Sequence, residues 1–229
     1  MSLSVWFTYQ GVKIYRVSSE AYTYQTGHIA LDADGAPDAY GPGDIGLDYN
    51  ANAGYVPGSD GWENVLVADP DEPDQPYVQT SGATAGYFVS MTSLIDESAA
   101  VADTDPAKYV DATAIPYIVF PGDFYDESGT GDWGDVAMVR SLSNNQQSAA
   151  IIADGGPATD PLGEISLALA AALGGTEPDP RDGSGVPPGP LQVVIFPYSH
   201  KQPAWPRTLD DIQQQASDLL QSIGGWPTI

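Results

Sequence analysis

Residues 149–174, AAIIADGGPATDPLGEISLALAAALG, constrain the fold more than any other stretch. An apolar run over 149–153 ends on Asp154. It is short and bounded by turn residues, as a buried strand is. A turn follows through Gly155-Gly156-Pro157 and Pro161-Leu162-Gly163, and then Glu164 opens a run of small apolar residues over 165–173. That run is Ala/Leu-rich and stopped by Gly174-Gly175, which predicts a helix beginning at Glu164. A strand, a tight turn and a helix would then set two carboxylates at the two lips of one loop. One acid and one base are the minimum equipment for cleaving a glycosidic bond.

The rest of the chain reads mostly as strands. Residues 5–17 predict two short strands, and Tyr22-Thr23-Tyr24 another. Strands are also expected over 62–69, 86–94, 115–120, 135–139 and 192–196, separated by Pro-, Gly- and Asp-rich turns. At the C-terminal end Thr208 caps a helix, with Ile212, Ala216, Leu219 and Ile223 on one stripe, so a packing helix is expected over 208–223. Many short strands and two helices predict a mainly-β chain, with residues 1–229 forming a single domain.

Charge narrows the partners. The chain carries 31 Asp+Glu against 7 Lys+Arg, a net charge of −24. Such a surface repels nucleic acid and anionic lipid and attracts cations. It suits either solubility in a salty medium or the steering of a cationic substrate. No apolar run approaches the roughly 20 residues of a membrane helix. There is no cysteine, hence no thiolate chemistry and no disulfide. No phosphate-binding glycine loop and no Gly-x-Ser-x-Gly elbow occurs, so no nucleotide cofactor is expected. His28 and His200 have no ligand spacing and read as structural or surface residues; no metal ligand is assigned. Asp32-x-Asp34-Gly35 resembles the opening of a calcium loop, but the twelfth position is Gly43, so it reads as an Asx-rich turn or as a loop whose Asp32, Asp34, Asp48 and Asn52 grip amines or hydroxyls.

Eight segments in order, GHIALDADGAPDAY, GLDYNANAG, GYFVSMTSL, YVDATAIPYIVFPG, GDVAMV, AAIIADGGP, LGEISLALAAALG and VVIFPYS, resemble the glycoside hydrolase family 75 chitosanases, closer to the bacterial members than to the fungal ones. The match covers about residues 27–199. The resemblance implies endo-hydrolysis of chitosan, a β-1,4-glucosamine polymer, with inversion and without a cofactor. It places the catalytic Asp at Asp154, in Ala-Asp-Gly-Gly-Pro, and the catalytic Glu at Glu164, in Gly-Glu-x-Ser. The sequence departs from the family at Ile165, where a small residue is usual, at Tyr198, where Gly is usual, and at Asp160, an added acid. A six-stranded double-psi β-barrel with added strands and two helices is expected by analogy.

Burial at a strand end would raise the pKa of Asp154, whereas a helix N-terminus would keep Glu164 ionised, so Asp154 is the expected acid and Glu164 the expected base, with exchange of roles left open. Asp32, Asp34, Asp48 and Asn52 are the expected substrate-binding residues, with Tyr40, Trp62 and Trp133 as candidate sugar platforms. The expected partner is a cationic amino-sugar polysaccharide, met by a secreted monomer, although no secretory apolar segment opens the chain. The alternatives are a hydrolase of another amino-sugar polymer such as peptidoglycan, and a non-catalytic polysaccharide-binding protein; a surface or phage-associated structural protein also fits the sequence.

Overall fold

Seven successive residues decide the centre of the molecule. In the strand Gln147–Gly156 the side chains from Ser148 to Asp154 are all buried, with no alternation between core and solvent. A strand apolar on both faces must be covered on both faces. In a computed structural model of the protein, which describes residues 3–229, this strand lies inside a nine-stranded mixed sheet. Met1 and Ser2 lie outside the described residues.

The elements in chain order are β1 (Ser4–Tyr9), β2 (Val12–Arg16), β3 (Tyr22–Thr26), β4 (Ala30–Asp32), β5 (Tyr117–Pro121), α1 (Gly122–Tyr125), β6 (Val136–Ser141), β7 (Gln147–Gly156), β8 (Glu164–Ser166), α2 (Leu167–Ala172), β9 (Leu191–Ile195) and α3 (Leu209–Ser222). Across the sheet the order is β1-β2-β3-β9-β6-β7-β5-β8-β4. Pairing is antiparallel except between β5 and β7 and between β4 and β8.

Alternate residues of β7 feed two cores. Ala149, Ile151 and Ala153 pack with Val136, Met138 and Val194, and beneath Ile212, Ala216 and Leu220 of α3. Ala150 and Ile152 pack with Ala137, Val139, Phe124 of α1 and Leu169 and Ala170 of α2. The predicted C-terminal helix is α3, capped by Thr208, whose hydroxyl accepts from the Asp211 N–H; Leu220 rather than Leu219 completes its fully buried stripe.

The mainly-β reading holds. The barrel does not close: the sheet runs in one line from β1 to β4, and among the described residues these two outer strands do not pair. Two predicted strands are also absent as ladders. Residues 62–64 form a 3-10 turn, and 65–69 and 86–94 make only single bridges, Leu66 to Ser90, Ala68 to Pro76 and Val78 to Phe88. Pro70, Pro73 and Pro76 donate no N–H, so the segment cannot extend a ladder. Among the described residues no helix is long and apolar enough to cross a membrane.

If the double-sided core at β7 carries the fold, Ile151→Ala should lower stability by about 3 kcal/mol in urea unfolding. Val5→Ala, on the exposed face of the outer strand β1, should change it by less than about 0.5 kcal/mol.

Candidate active site

Asp154 owes its direction to a slip in the β5–β7 register. Tyr117 pairs with Ile151 and Ile118 with Ile152, but Val119 pairs with Asp154, so Ala153 is an extra residue. A bulge of this kind turns the following side chain to the opposite face. In unbroken register Asp154 would share the face of Ile118 and Phe120, which belongs to the fully apolar core. The slip puts it instead on the face of Val119, at the end of the sheet. The carbonyl of Ala153 accepts from the Leu94 N–H at 2.8 Å, which brings Ser93 alongside. Oδ1 of Asp154 then accepts from the Ser93 N–H (2.8 Å), the Ser93 Oγ–H (2.8 Å) and the Gly155 N–H (2.8 Å).

Glu164 stands on a strand, not at a helix start. Residues 164–166 pair in parallel with β4, Ala30 against Glu164 and Asp32 against Ser166, and Ile165 bridges to Ile118. The helix begins at Leu167 with Ser166 as its N-cap, accepting from the Leu169 N–H. Ser166 Oγ also donates to the Ile115 carbonyl, so this one hydroxyl ties the helix start to the residues that lead into β5. The expected helix-dipole effect on Glu164 is therefore absent. Among the described residues its carboxylate has no hydrogen-bond donor. It lies over Gly156, where an added Cβ would come within 3.2 Å of Glu164 Oε2. A side chain at Gly156 would crowd the carboxylate.

The parallel pairing of β4 with β8 delivers the Asp-rich loop to the same place. Asp32 ends β4 and is buried; its Oδ1 accepts from the Asp34 N–H at 2.7 Å and its Oδ2 from the Tyr117 hydroxyl at 2.9 Å. Asp34 accepts from the Tyr40 hydroxyl at 2.7 Å. Asp48, also buried, accepts from the Tyr49 N–H and from Asn52 Nδ2, so the amide of Asn52 holds Asp48 as well as facing the cavity. Arg181 donates to the carbonyls of Asp44, Gly46 and Asp48 and fixes this loop against the body.

Asp32, Asp34, Asp48, Asp154 and Glu164 thus line one cavity of about 230 Å³, together with Tyr40, Asn52 and Val119. Seven of the expected site residues meet there; Trp133 does not. Trp133 lines the neighbouring cavity, its ring close to Gly155. Tyr40 is 3% exposed and spends its hydroxyl on Asp34, so it orients a carboxylate and offers no open ring face. Trp62 is buried in the core beside Tyr55 and is no sugar platform. Two residues that sequence reading passed over belong to the site, Ser93 and Tyr117. Tyr117 had a signal, since the lone hydroxyl in the apolar run IPYIVF needs a partner once buried. Ser93 had none among its polar neighbours.

Crowding sets the electrostatics. Burial pushes Asp154 up to about 6, against the lowering effect of its bonds from Ser93 and Gly155. Burial, and then the charges of Asp154, Asp160 and Asp48, push Glu164 up to about 7. Asp32 and Asp34 are raised well above the carboxylate range, first by burial and then by neighbouring carboxylates; the Tyr40 hydrogen bond opposes this at Asp34. Asp32, Asp34 and Asp154 each offer one oxygen, all within 4.8 Å of one another, the spacing of a metal-ligand set, although no metal ligand was expected from sequence. Either the group retains protons or a cation joins it.

The chain matches no protein-family model, and no curated protein aligns with it significantly.

Raised carboxylates make stability fall as pH rises. An unfolded Asp or Glu loses its proton near pH 4, whereas Asp154 and Glu164 hold theirs to about 6 and about 7. Between these limits the native state binds more protons, so unfolding free energy declines with pH. The melting temperature at pH 8 should lie about 5 °C or more below that at pH 5, and Asp154→Asn should recover part of the loss at pH 8. Calorimetry at the two pH values, with equal ionic strength, measures both.

Proposed function

We propose that this chain is a glycoside hydrolase that cleaves the β-1,4 bonds of a glucosamine polymer with inversion. The observation that carries the reading is the convergence of two carboxylates of raised pKa, from the ends of β7 and β8, on a cavity that three further carboxylates surround. The resemblance to the family 75 chitosanases points to the same pair, residue by residue. The parallel pairs β5/β7 and β4/β8, joined through Ile118 and Ile165, are the part of the sheet on which a double-psi relationship would rest.

The roles are the reverse of those expected from sequence. Asp154 receives three donors, all of which stabilise its anion. Glu164 receives none and faces the charge of Asp154, which favours its protonated form. Glu164 is therefore the general acid and Asp154 the general base. Glu164 gives its proton to the glycosidic oxygen as the bond from C1 to that oxygen breaks. Asp154 takes a proton from the water that attacks C1 from the opposite face. Asp32, Asp34 and Asp48 suit an ammonium group on the substrate, whose arrival favours their ionised forms, and these then supply negative potential where positive charge develops on the sugar ring. A net charge of −24 draws a polycation to the surface. On this reading the enzyme works as a secreted monomer on an external polysaccharide.

Hydrolysis of chitosan, chitin and cell-wall glycan by the wild type should show turnover on chitosan, with the α-anomer formed first by NMR. Asp154→Asn and Glu164→Gln should each lower kcat by about 100-fold or more. The kcat/KM profile should rise through about pH 6, as Asp154 ionises, and fall through about pH 7, as Glu164 loses its proton; Glu164→Gln should remove the alkaline limb. Release of the β-anomer first, or full activity in either variant, would overturn the mechanism, and binding without turnover would leave a polysaccharide-binding protein.

A further inference from the structure

The acid pocket is too small to hold a polymer by itself. Its volume of about 230 Å³ lies below the roughly 300–1,000 Å³ of common ligand sites, so a bound chain must continue past it. Beside Ser93 lies a second cavity, of about 400 Å³, whose walls contain Ser93, Trp133, His200 and Trp205. Ser93 joins the two places, because its hydroxyl donates to Asp154.

Three side chains define this second cavity. The first is a fixed imidazole. Asp135 is fully buried and accepts from the N–H groups of Asp132 (2.7 Å), Tyr198 (2.6 Å) and His200 (2.8 Å). Its Oδ1 also lies 2.9 Å from Nδ1 of His200. A carboxylate held by three backbone amides fixes the ring it binds. With Nδ1–H donating to Asp135, a neutral imidazole presents Nε2 as an acceptor, and no described residue bonds to Nε2. The second is an indole in the wall. Trp205 is 7% exposed, and its Nε1–H is buried away from the cavity surface, so the residue lines the cavity with its other atoms and its indole signal reports on what enters. The third is a rigid ring. Trp133 stacks on Tyr125 with centroids 4.1 Å apart and an interplanar angle of 5°, which fixes the plane that it carries to the cavity. Tryptophan faces of fixed plane suit the apolar face of a pyranose.

We infer that this cavity is a second sugar subsite, which takes the glucosamine unit adjoining the one held between Asp154 and Glu164. His200 Nε2 accepts from the amine or a hydroxyl of that unit, and Trp133 packs against its face. The identity of the ligand rests on the glycosidase reading above; the existence of the subsite rests on the cavity, the fixed imidazole of His200 and the fixed ring of Trp133. His200, set by Asp135, is then a specificity-determining residue, because an N-acetyl group in place of the amine adds bulk and removes the cation.

The test is a titration of Glu164→Gln with glucosamine hexamer, read on the indole N–H signals by two-dimensional 1H–15N NMR, beside hydrolysis of the same hexamer by the wild type. Trp205→Phe and Trp133→Phe assign the signals. The Trp205 and Trp133 signals should shift on titration, and adding His200→Ala should weaken apparent affinity about tenfold while leaving the folded spectrum intact. In the otherwise wild-type enzyme His200→Ala should raise KM more than it lowers kcat. Hydrolysis by the wild type with neither indole signal moving would overturn the subsite and spare the glycosidase. Shifts without hydrolysis would support the subsite and overturn the catalytic reading. Neither shift nor hydrolysis would overturn both.

Discussion

Everything at the site depends on one slip of register in the centre of the sheet. β7 is buried on both faces, and neither face tolerates a charge. An aspartate at its end is admissible only if the strand turns it away from the aromatic core formed by Phe120 and Phe124. The extra residue at Ala153 does this, and the carbonyl at the same position accepts from Leu94. One departure from regular pairing therefore aims the carboxylate and recruits Ser93 to receive it. The three donors on Oδ1 hold the group as an anion at a place where burial alone would neutralise it.

The second constraint is crowding. Five carboxylates around about 230 Å³ repel one another, and burial denies them the screening of water. The fold holds them together because each comes from a different part of the framework. Asp154 ends β7, Glu164 begins β8 and Asp32 ends β4, while Asp34 and Asp48 sit on a loop fixed by Arg181. The parallel ladder between β4 and β8 sets two of these elements side by side. Such repulsion would be selected against in a site that only needed to be stable. It is what a site needs if its function is to receive positive charge, whether on an ammonium group or on a developing oxocarbenium ion.

The parts of this arrangement legible in the sequence were those set by local pattern. The apolar run of β7 stopping at Asp154, the cap at Thr208 and the stripe on α3 all follow from neighbours a few positions apart. Glu164 was misplaced because Ala/Leu-rich residues after it extend a helical pattern backward. What breaks that pattern is pairing with Ala30–Asp32, a contact that is distant in sequence. Residues 62–69 and 86–94 have the composition of strands but lack continuous partners, since β-propensity records fit to a pleated surface and not the presence of one. Tyr40 and Trp62 show the ambiguity of aromatics, which the core uses as readily as a binding face. His200, expected as a structural or surface residue, is held by Asp135, and this partner, 65 residues away, is not legible in the local sequence.

The exchange of acid and base between the sequence expectation and the proposed mechanism has a general cause. Burial raises the pKa of both carboxylates and so cannot rank them. The ranking comes from donors, and donors depend on backbone placement that a linear pattern does not record. Asp154 ends a bulged strand, where free N–H groups from Ser93 and Gly155 converge. Glu164 begins a strand whose N–H groups serve the ladder with β4, so none is left for its side chain. Had the helix begun at Glu164, its first-turn N–H groups would have reversed the order. The two-position offset from Glu164 to the cap at Ser166 therefore decides which carboxylate keeps the proton.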